Sequence, residues 1–286
     1  MTNLAVVMSV CLSDNPAQFR DAVSSILLQT LSPDEILIVI DGPVPEELDH
    51  EVEKIAANSV IHIIRLPENL GLGGARHIGV KAAQSEIIAV MDSDDISIPE
   101  RFALQKPYLD RNESDVVGGY IEEFDLRLGD AGRIRRVPTS HQAIFRFGRW
   151  RTPINHVTIM FRREVYLRAG GYHTIRMVED WDLCHRLLMS GARFMTVAKV
   201  LVHVRCGSAM LFRRRGIMYM RKEIALFWRM LRSGYLSPLQ FAGNVAIRIM
   251  ARLMPNVLLR QLYRNALREH GGLFENTQDT AAKHGK

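Results

Sequence analysis

The feature that most constrains the fold is an alternation of apolar, strand-like runs with helical patterns across the first hundred residues. Residues 4–10 (LAVVMSV), 35–40 (EILIVI) and 86–91 (EIIAVM) are apolar without alternating polar positions, a pattern typical of strands buried on both faces of a parallel sheet. A further strand is predicted at 60–65, and helices at 48–57, at 74–84 and from Pro16, which Asn15 caps. This repetition predicts βαβ units, and therefore an α/β fold with a doubly wound sheet.

The pattern changes after Pro99 to a mixture of strands and helices. It predicts a helix at 100–111, strands at 115–124, 133–137 and 156–161, a helix at 177–190, and one or two strands at 193–205. From there to about residue 268 the sequence predicts helices, and the last eighteen residues are polar. A length of 286 residues suits one large domain, or one domain with an appendage.

The cysteines argue against a protein held together by disulfides, and the length of the apolar runs argues against a membrane-spanning protein. Cys11, Cys184 and Cys206 are an odd, scattered set, which argues against a disulfide framework and favours a reducing compartment. The longest stretch without Asp, Glu, Lys or Arg, 233–247, has fifteen residues, whereas a bilayer span needs about 20 apolar residues. No secretory signal is visible. We therefore expect a cytoplasmic protein without a transmembrane helix.

Polar residues follow the predicted strands at the edge where ligands bind in doubly wound sheets. Ser9 and Val10 close the first strand, Asp41 follows the second, and Asp92-Ser93-Asp94-Asp95 follows the fourth. Three carboxylates within four residues repel one another unless a cation lies among them, and hard oxygen ligands favour Mg²⁺ or Mn²⁺. An acidic turn that only caps the helix after Pro99 is the alternative.

Two further segments carry candidate site residues. The loop 69–77 contains Asn69, Gly71 and Arg76 and opens a helix, so its amides and its arginine can receive a diphosphate; the glycines alone also fit a flexible turn. Glu179 and Asp180 begin another predicted helix, where Asp180 is either a cap or a general base. In that helix Asp182 can pair with His185 or with Arg186.

In their order along the chain, these residues resemble the family 2 inverting glycosyltransferases with the GT-A fold, and among them enzymes of bacterial capsule, exopolysaccharide (amylovoran) and O-antigen assembly. The segments that carry the resemblance span most of the chain: 38–44 (IVIDGPV), 68–79, 90–101, 155–162 (NHVTIMFR), 170–172, 179–183 and 255–268. The resemblance implies a Rossmann-like nucleotide-sugar-binding half at 1–100 and a mixed-sheet acceptor half at 101–205, which together form the catalytic domain. A basic amphipathic helical region at 206–270 and a disordered tail at 271–286 would follow.

The resemblance also implies a role for each candidate. Asp180 would be the catalytic base, oriented by Glu179. The UDP-sugar donor would be bound by a set that spans both halves: Ser9, Val10, Asp41, Asn69, Gly71, Arg76, Asp92, Ser93 and Arg205. Asp94, with Asp92, would hold Mn²⁺ or Mg²⁺. The predicted acceptor contacts are Trp150, Asn155, His156 and Trp181, although His156 fits the end of a strand equally well.

Two departures from the family pattern concern recognition of the base. Many relatives carry Tyr-Asn after the first strand, where this chain has Cys11-Leu12, and many carry two aspartates where Ile40 precedes Asp41. The reaction type therefore follows from the resemblance more directly than the identity of the nucleotide. By the same analogy, the transferred sugar is glucose or galactose in a β-1,3 linkage, and the acceptor is an undecaprenyl-diphosphate-linked saccharide.

The charge is distributed unevenly along the chain. Residues 1–100 carry 5 basic and 16 acidic side chains, a net charge of −11, whereas residues 205–286 carry 15 and 4, a net charge of +11. Apolar positions at 217–231 and 239–253 recur at helical spacing, with arginines on the other faces. Such helices either pack on the catalytic domain or bind the surface of an anionic inner membrane. The charge favours the membrane, and so a peripheral protein on its cytoplasmic face.

Three other classes of protein compete with this interpretation. A basic nucleic-acid-binding protein would need a recognisable module or interleaved aromatic residues, and neither is present; no nucleic acid is expected as a partner. A sugar-nucleotide-binding protein without catalysis is possible, but the metal, arginine and base positions are all filled. A nucleotidyltransferase would carry a glycine-rich, basic turn after the first strand, where Cys11–Asn15 does not fit.

Overall fold

The computed structural model describes residues 2–173, 177–206 and 217–253 of the chain. Within these ranges lie nine strands: β1 (Leu4–Val10), β2 (Glu35–Ile40), β3 (Ile61–Arg65), β4 (Ile87–Met91), β5 (Ile96–Ser97), β6 (Val116–Phe124), β7 (Arg133–Arg135), β8 (Met160–Arg162) and β9 (Phe194–Arg205). The helices of the same ranges are α1 (Pro16–Leu27), α2 (Glu46–Ala56), α3 (Leu72–Ala82), α4 (Arg101–Asp110), α5 (His141–Phe147), α6 (Arg163–Arg168), α7 (Glu179–Met189), α8 (Ile217–Arg232) and α9 (Pro238–Leu253).

The strands form one mixed sheet in the order β3-β2-β1-β4-β8-β6-β9-β5, with β7 paired to β6. The first four strands in this order run parallel, as the apolar runs predict. β8 pairs antiparallel with both β4 and β6 and so joins this half to the second half of the sheet. Every residue of β1, β2 and β4 is buried, because helices cover both faces of the sheet.

Two hydrophobic clusters occupy the two faces. One is formed mainly by α1, α2 and α4 against the sheet, with Phe19, Leu48 and Phe102 among its fully buried side chains. The other is formed by α3, α5, α6 and α7 and also includes Leu226, Phe227 and Met230 of α8. Helix α8 therefore packs on the same core as α3, α5, α6 and α7 and is not a detached appendage.

Most predicted elements are present within two residues of their predicted ends, and the Asn15 side chain accepts hydrogen bonds from the amides of Ala17 and Gln18 as expected of a cap. The strand predicted at 156–161 is wrong in its first half: His156–Thr158 is a 3₁₀ turn, and the strand covers only Met160–Arg162. Residues 193–205 form one strand. The short elements β5, α5 and α6 were not predicted, because elements of two to seven residues carry too little periodicity.

The last two described helices turn different sides to the core. Helix α8 buries Leu226, Phe227 and Met230. On α9, Phe241 and Val245 pack against the same core, whereas other apolar residues of the helix face outward, with Leu239 exposed by 83% and Ile249 by 39%. The inward side of α9 carries Arg248, which forms an ion pair with the buried Glu223 at 2.9 Å. The predicted helical stretch beyond residue 253 and the tail at 271–286 lie outside the described residues. None of the described helices is long and apolar enough to cross a bilayer.

Candidate active site

The candidate site begins where three parallel strands end side by side. Val10 of β1 is paired with Ile40 of β2, and Met8 of β1 with Met91 of β4, so the residues that follow these strands meet at one edge. The strand order also reverses at β1, which lies between β2 and β4. Such a switch point leaves a crevice in which doubly wound proteins bind ligands. Asp41 and the segment 92–95 lie at this edge.

Asp41 is organised by the loop that precedes α3. The Leu70 amide donates to Asp41 Oδ1 at 2.7 Å, and the Asn69 side chain donates to the Asp41 carbonyl at 3.1 Å. Gly71, with φ +81, ends this loop in a conformation that side chains rarely adopt. Three of the predicted donor residues, Asp41, Asn69 and Gly71, therefore belong to one structural unit.

Asp14 connects the first strand to the acidic segment, a role that the sequence did not reveal. Its Oδ2 accepts a hydrogen bond from the Cys11 amide at 3.1 Å and another from the Ser93 hydroxyl at 2.7 Å. Ser9, near the end of β1, is also buried. Asp14 thus fixes the turn at 11–14 relative to Ser93, and its position after a strand end is the signal that could have identified it.

Asp92, Asp94 and Asp95 bring three carboxylates together, with one oxygen of each within 4.8 Å of the others. Asp95 is buried, and its pKa is raised by burial and by the charges of Asp92 and Asp94. Its Oδ1 accepts a hydrogen bond from the Arg205 amide at 2.8 Å. Three hard oxygen donors at this spacing fit a divalent ion such as Mg²⁺ or Mn²⁺. Asp95 thus lies in the same carboxylate cluster as Asp92 and Asp94, the two ligands expected from the sequence.

Two arginines lie next to this acidic segment. Arg101 is fully buried, and its guanidinium donates to the Val90 carbonyl at 2.9 Å; burial lowers the pKa of Arg101 to about 9, while Asp92 and Asp95 oppose that change. Arg205 donates from Nε to the Asp94 carbonyl at 3.2 Å and lies over the Phe124 ring. Arg205, expected from the resemblance at the donor site, therefore lies beside the acidic cluster.

Arg76 lies between the acidic segment and α7. Its side chain is only 1% exposed; Nη2 donates to Asp92 Oδ1, and Nη1 lies 3.5 Å from Asp180 Oδ1. Burial on its own would lower the pKa of Arg76, but Asp92, Tyr172, Asp180 and Glu179 raise it above its ordinary value. The guanidinium is therefore charged, and it joins residues that are 16 and 104 positions away in the sequence.

Helices α3 and α7 approach each other closely at their first turns. A Cβ on Gly73 would lie 3.2 Å from the His173 carbonyl and 3.4 Å from the Glu179 Cβ, so a larger residue would push the His173 backbone away by a few tenths of an ångström. Glu179 Oε2 is buried without a hydrogen-bond partner among the described residues. Burial raises the pKa of Glu179, and the charge of Asp180 raises it further. Asp180 is by contrast 38% exposed and accessible.

We expect Glu179→Gln to be at least as stable as the wild type at pH 8. Because the folded state raises the pKa of Glu179, its contribution to stability is fully present below the unfolded pKa and is lost as the pH rises through the folded pKa. The glutamine amide of the variant stays neutral, so the variant does not lose stability as the pH rises. Urea unfolding between pH 4 and 8 measures the difference, which should grow with pH; a wild type that is more stable than the variant at pH 8 would contradict the prediction.

The four predicted acceptor residues lie in different surroundings. The buried Asn155 amide donates to the Gly119 carbonyl at 2.8 Å and to the Arg135 carbonyl at 3.2 Å. His156 Nε2 lies 3.4 Å from Asp180 Oδ1, at the centre of the site. Trp150 is partly exposed and packs beside Gly243 of α9. The buried Trp181 donates to the Gly148 carbonyl at 2.9 Å, and its ring contacts Phe227 edge-on.

Of the two pairings that the sequence left open for Asp182, the structure has the one with Arg186. Asp182 accepts from Arg186 at 2.9 Å, and it also lies 3.3 Å from Arg229 of α8 and 3.2 Å from His173. His185 instead pairs with the Ser233 hydroxyl at 2.8 Å. Asp182 therefore holds α7 against α8, while the neighbouring Asp180 is directed toward Arg76.

The groups at this site can together accept a proton and stabilise negative charge. An accessible carboxylate, Asp180, can accept a proton from a hydroxyl group. A buried guanidinium and a cluster of carboxylates that fits a divalent cation can stabilise charge on a departing diphosphate. Both lie at the strand edge where α/β proteins bind nucleotides. This combination is typical of group transfer from an activated phosphate ester to a hydroxyl.

The comparisons with known proteins agree with this chemistry. The family model described as glycosyl transferase family 2 matches residues 6–218. The amylovoran biosynthesis glycosyltransferase AmsE of Erwinia amylovora is 34% identical over 91% of this chain and 97% of its own length. The UDP-Gal:alpha-D-GlcNAc-diphosphoundecaprenol beta-1,3-galactosyltransferase of Escherichia coli is 31% identical over 92% of this chain and 96% of its own.

Among solved structures, S. aureus TarS 1–349 in complex with UDP-GlcNAc has a TM-score of 0.65 at 16% identity. The match covers 86% of this chain and 71% of that chain, and at this identity it shows the fold alone, which is the GT-A fold expected from the resemblance. The family model covers well over half of the chain, and the sequence relatives cover nearly all of it. The chain therefore belongs to glycosyltransferase family 2 and is a glycosyltransferase of polysaccharide biosynthesis.

Proposed function

We propose that this glycosyltransferase moves a hexose, glucose or galactose, from a UDP-sugar to a lipid-diphosphate-linked saccharide, with inversion and in a β-1,3 linkage. The observation that carries the proposal is Arg76, which contacts Asp92 on the donor side and Asp180 on the acceptor side. The E. coli relative is named for the use of UDP-Gal and a diphosphoundecaprenol-linked GlcNAc. The product would be an intermediate of O-antigen, capsule or exopolysaccharide assembly.

The donor would lie along the carboxyl ends of β1, β2 and β4. Ser9, Val10 and Asp41 would contact uracil and ribose, since Ser9 and Val10 end β1 and Asp41 follows β2, and these two strand ends are adjacent. Gly71 and Arg76 would face the sugar and the diphosphate from the start of α3. Asp92, which contacts Arg76, and Ser93, which is fixed by Asp14, would complete the donor site.

Mn²⁺ or Mg²⁺ would be held by Asp94 and Asp92, and when bound would offset the charge of the two phosphates. Arg76 supplies a fixed positive charge to the same group without reorganisation, because it is buried and paired at both ends. Asp95 is buried and accepts the Arg205 amide, so we assign it the role of supporting the loop.

In the transfer step, Asp180 takes the proton of the acceptor hydroxyl as its oxygen attacks the anomeric carbon. The new bond joins this oxygen to the anomeric carbon, and the bond that breaks joins the same carbon to the diphosphate, which leaves with its electron pair. A single in-line displacement inverts the configuration, so an α-linked donor gives a β-glycoside. General-base assistance of this kind is typically worth about 10²- to 10⁴-fold in rate.

The proposal is tested with a panel of UDP-sugars, Mn²⁺, and GlcNAc or GalNAc on a lipid diphosphate, with the product analysed by mass spectrometry and anomeric NMR. The expected product carries one added hexose in a β linkage. UDP binding without transfer to any acceptor would favour a sugar-nucleotide-binding protein. An α-linked product would contradict the inverting mechanism. Retention on DNA without transfer would favour nucleic-acid binding.

We expect removal of divalent metal with EDTA to abolish transfer, and Asp94→Asn to raise the Mn²⁺ concentration for half-maximal activity at least tenfold, because one anionic ligand is lost. The matched control is Asp125→Asn, a carboxylate paired with Arg133 on the hairpin beyond β6. Activity is measured against Mn²⁺ and Mg²⁺ concentration. Full activity in EDTA, or an unchanged metal requirement in Asp94→Asn, would contradict the metal assignment.

We also propose peripheral binding to the anionic inner membrane through α8 and α9. The outward face of α9 is apolar, with Leu239, Ala246 and Ile249 exposed. The outward face of α8 combines Trp228 with Arg221 and Arg232, which are exposed as well. Exposed apolar groups flanked by arginine suit the interface of a bilayer that contains anionic lipids, and the lipid-linked acceptor would lie in the same surface.

We expect Leu239→Glu to weaken binding to vesicles that contain anionic lipid by about 10- to 100-fold, since burial of one leucine is worth about 1.5–3 kcal/mol. Leu126→Glu is a matched control, because Leu126 is 86% exposed and lies on the hairpin after β6, whereas Leu239 is 83% exposed on α9. Vesicle flotation measures the binding. Equal loss in both variants, or none in Leu239→Glu, would argue that α9 does not contact the membrane.

A further inference from the structure

His156 makes a contact that the transfer chemistry described above does not use. It lies in the 3₁₀ turn His156–Thr158 and is buried. Its Nε2 is 3.4 Å from Asp180 Oδ1 and 2.5 Å from the Tyr172 hydroxyl oxygen. The imidazole therefore lies between the proposed base and Tyr172, to which the sequence analysis gave no role.

The contacts of Asp180 fall on one oxygen. Oδ1 lies 3.5 Å from Arg76 Nη1 and 3.4 Å from His156 Nε2, and both of these partners are buried. The Asp180 side chain as a whole is 38% exposed. One edge of the carboxylate thus faces fixed protein groups, while the side chain remains open to the crevice in which an acceptor hydroxyl would lie.

The turn that carries His156 is itself held rigidly. The Thr158 hydroxyl donates to the Asn155 carbonyl at 2.6 Å and accepts from the Gly119 amide at 2.9 Å. The Asn155 amide donates to the carbonyl of the same glycine at 2.8 Å. Because these bonds are buried, they fix the backbone on both sides of the imidazole, as a supporting residue requires.

Only one tautomer of the neutral His156 imidazole gives its N–H a hydrogen-bond acceptor among the described residues. Burial lowers the pKa of His156 more than the Asp180 carboxylate raises it, so the ring is neutral at pH 7. Nδ1 is buried with no hydrogen-bond partner among the described residues. A proton on Nδ1 would have no acceptor, whereas a proton on Nε2 has the Tyr172 oxygen and Asp180 Oδ1 within reach.

We infer that His156 is a positioning residue: its Nε2–H, shared between the Tyr172 oxygen and Asp180 Oδ1, holds this carboxylate so that its other oxygen meets the acceptor hydroxyl. The 3.4 Å separation would shorten when the acceptor binds, as catalytic hydrogen bonds often do. The inference rests on the proposed function, in which Asp180 is the base. It gives His156 a role different from the direct acceptor contact expected from the sequence.

The kinetic test compares His156→Gln, whose side-chain amide keeps an N–H donor, with His156→Phe, which keeps a ring and has no donor. We expect kcat to fall about 10- to 100-fold in His156→Phe, the usual effect of losing a supporting group, with the KM for the acceptor and UDP binding within about twofold. His156→Gln should recover most of this loss, and Tyr172→Phe should lower kcat by less than His156→Phe.

Two kinetic outcomes would overturn the inference. A raised acceptor KM with unchanged kcat would make His156 an acceptor contact. Equal losses of kcat in the Gln and Phe variants, with equally lowered melting temperatures, would leave it a purely structural residue.

A second measurement needs no substrate and therefore separates this inference from the proposed function. Imidazole ¹⁵N NMR of the full chain should show His156 with its proton on Nε2, and Asp180→Asn should shift that signal. His185, which pairs with Ser233 at 2.8 Å, is the internal control and should not move. If the wild type transfers no sugar, the proposed function fails, but the NMR experiment still tests the contact between His156 and Asp180. An unshifted His156 signal would overturn the inference.

Discussion

Asp180→Asn will lower kcat for sugar transfer by about 10²- to 10⁴-fold while UDP binding stays within about twofold of the wild type. The amide has the size of the carboxylate but cannot take the proton of the acceptor hydroxyl at neutral pH. Arg76 keeps its contact with Asp92 in this variant, so the donor side of the site retains its main support. The loss should therefore appear in the chemical step and not in binding.

The measurement combines steady-state kinetics with calorimetric titration of UDP in the presence of Mn²⁺. Asp125→Asn is the control, since this carboxylate lies at the surface in an exposed pair with Arg133 and should leave kcat unchanged. Turnover in Asp180→Asn close to that of the wild type would remove Asp180 as the base. Loss of UDP binding together with kcat would indicate that its contact with Arg76 mainly organises the donor site.

The parallel half of the fold could be predicted from the sequence because its signal is local and repeated. Runs such as 35–40 carry no polar alternation, and only a strand that is covered on both faces has that pattern. The ends of these strands then determined where Asp41 and Asp92 would lie. The parallel pairing of β1 with β2 and β4 agrees with that reasoning.

The contacts that unite the site could not be predicted in the same way, because they join distant parts of the chain. Arg76 and Asp180 are 104 residues apart, and no periodicity links an arginine in one helix to a carboxylate at the start of another. His156 lies in a turn, whereas the sequence pattern predicts a strand there. Its position depends on buried bonds to Gly119 through Thr158 and Asn155, and a single sequence does not reveal such bonds.

Helix α9 shows why the orientation of an amphipathic helix needs the structure. Arginines were expected on its solvent side, yet Arg248 faces inward, where it pairs with Glu223 and lies over the rings of Trp181 and Phe227. An ion pair and aromatic faces together satisfy a guanidinium that is withdrawn from water. Phe241 and Val245 pack on the core together with this arginine side, while Leu239 and Ile249 remain exposed, so that α9 carries apolar residues on two sides.

Arg76→Gln should have the largest effect on stability, a loss of about 3 kcal/mol in the free energy of unfolding. Removal of one partner of a buried ion pair typically costs about 3–5 kcal/mol. Asp92 and Asp180 are about one third exposed, so water offsets part of the repulsion between them, and the lower end of that range applies. The same variant should lower kcat by about 10²- to 10³-fold, because a fixed charge near the leaving diphosphate is lost.

Arg65→Gln is the matched control, because Arg65 also pairs with an aspartate, Asp49, at 2.6 Å, but both side chains are exposed. Exposed pairs contribute about 0–1 kcal/mol, so urea unfolding should separate the two variants by about 2 kcal/mol or more. Equal stability of the two variants would mean that the Arg76 contacts are not a buried network. A stable Arg76→Gln with lost activity would make this arginine a catalytic group whose burial contributes little to folding, so the experiment separates its two roles.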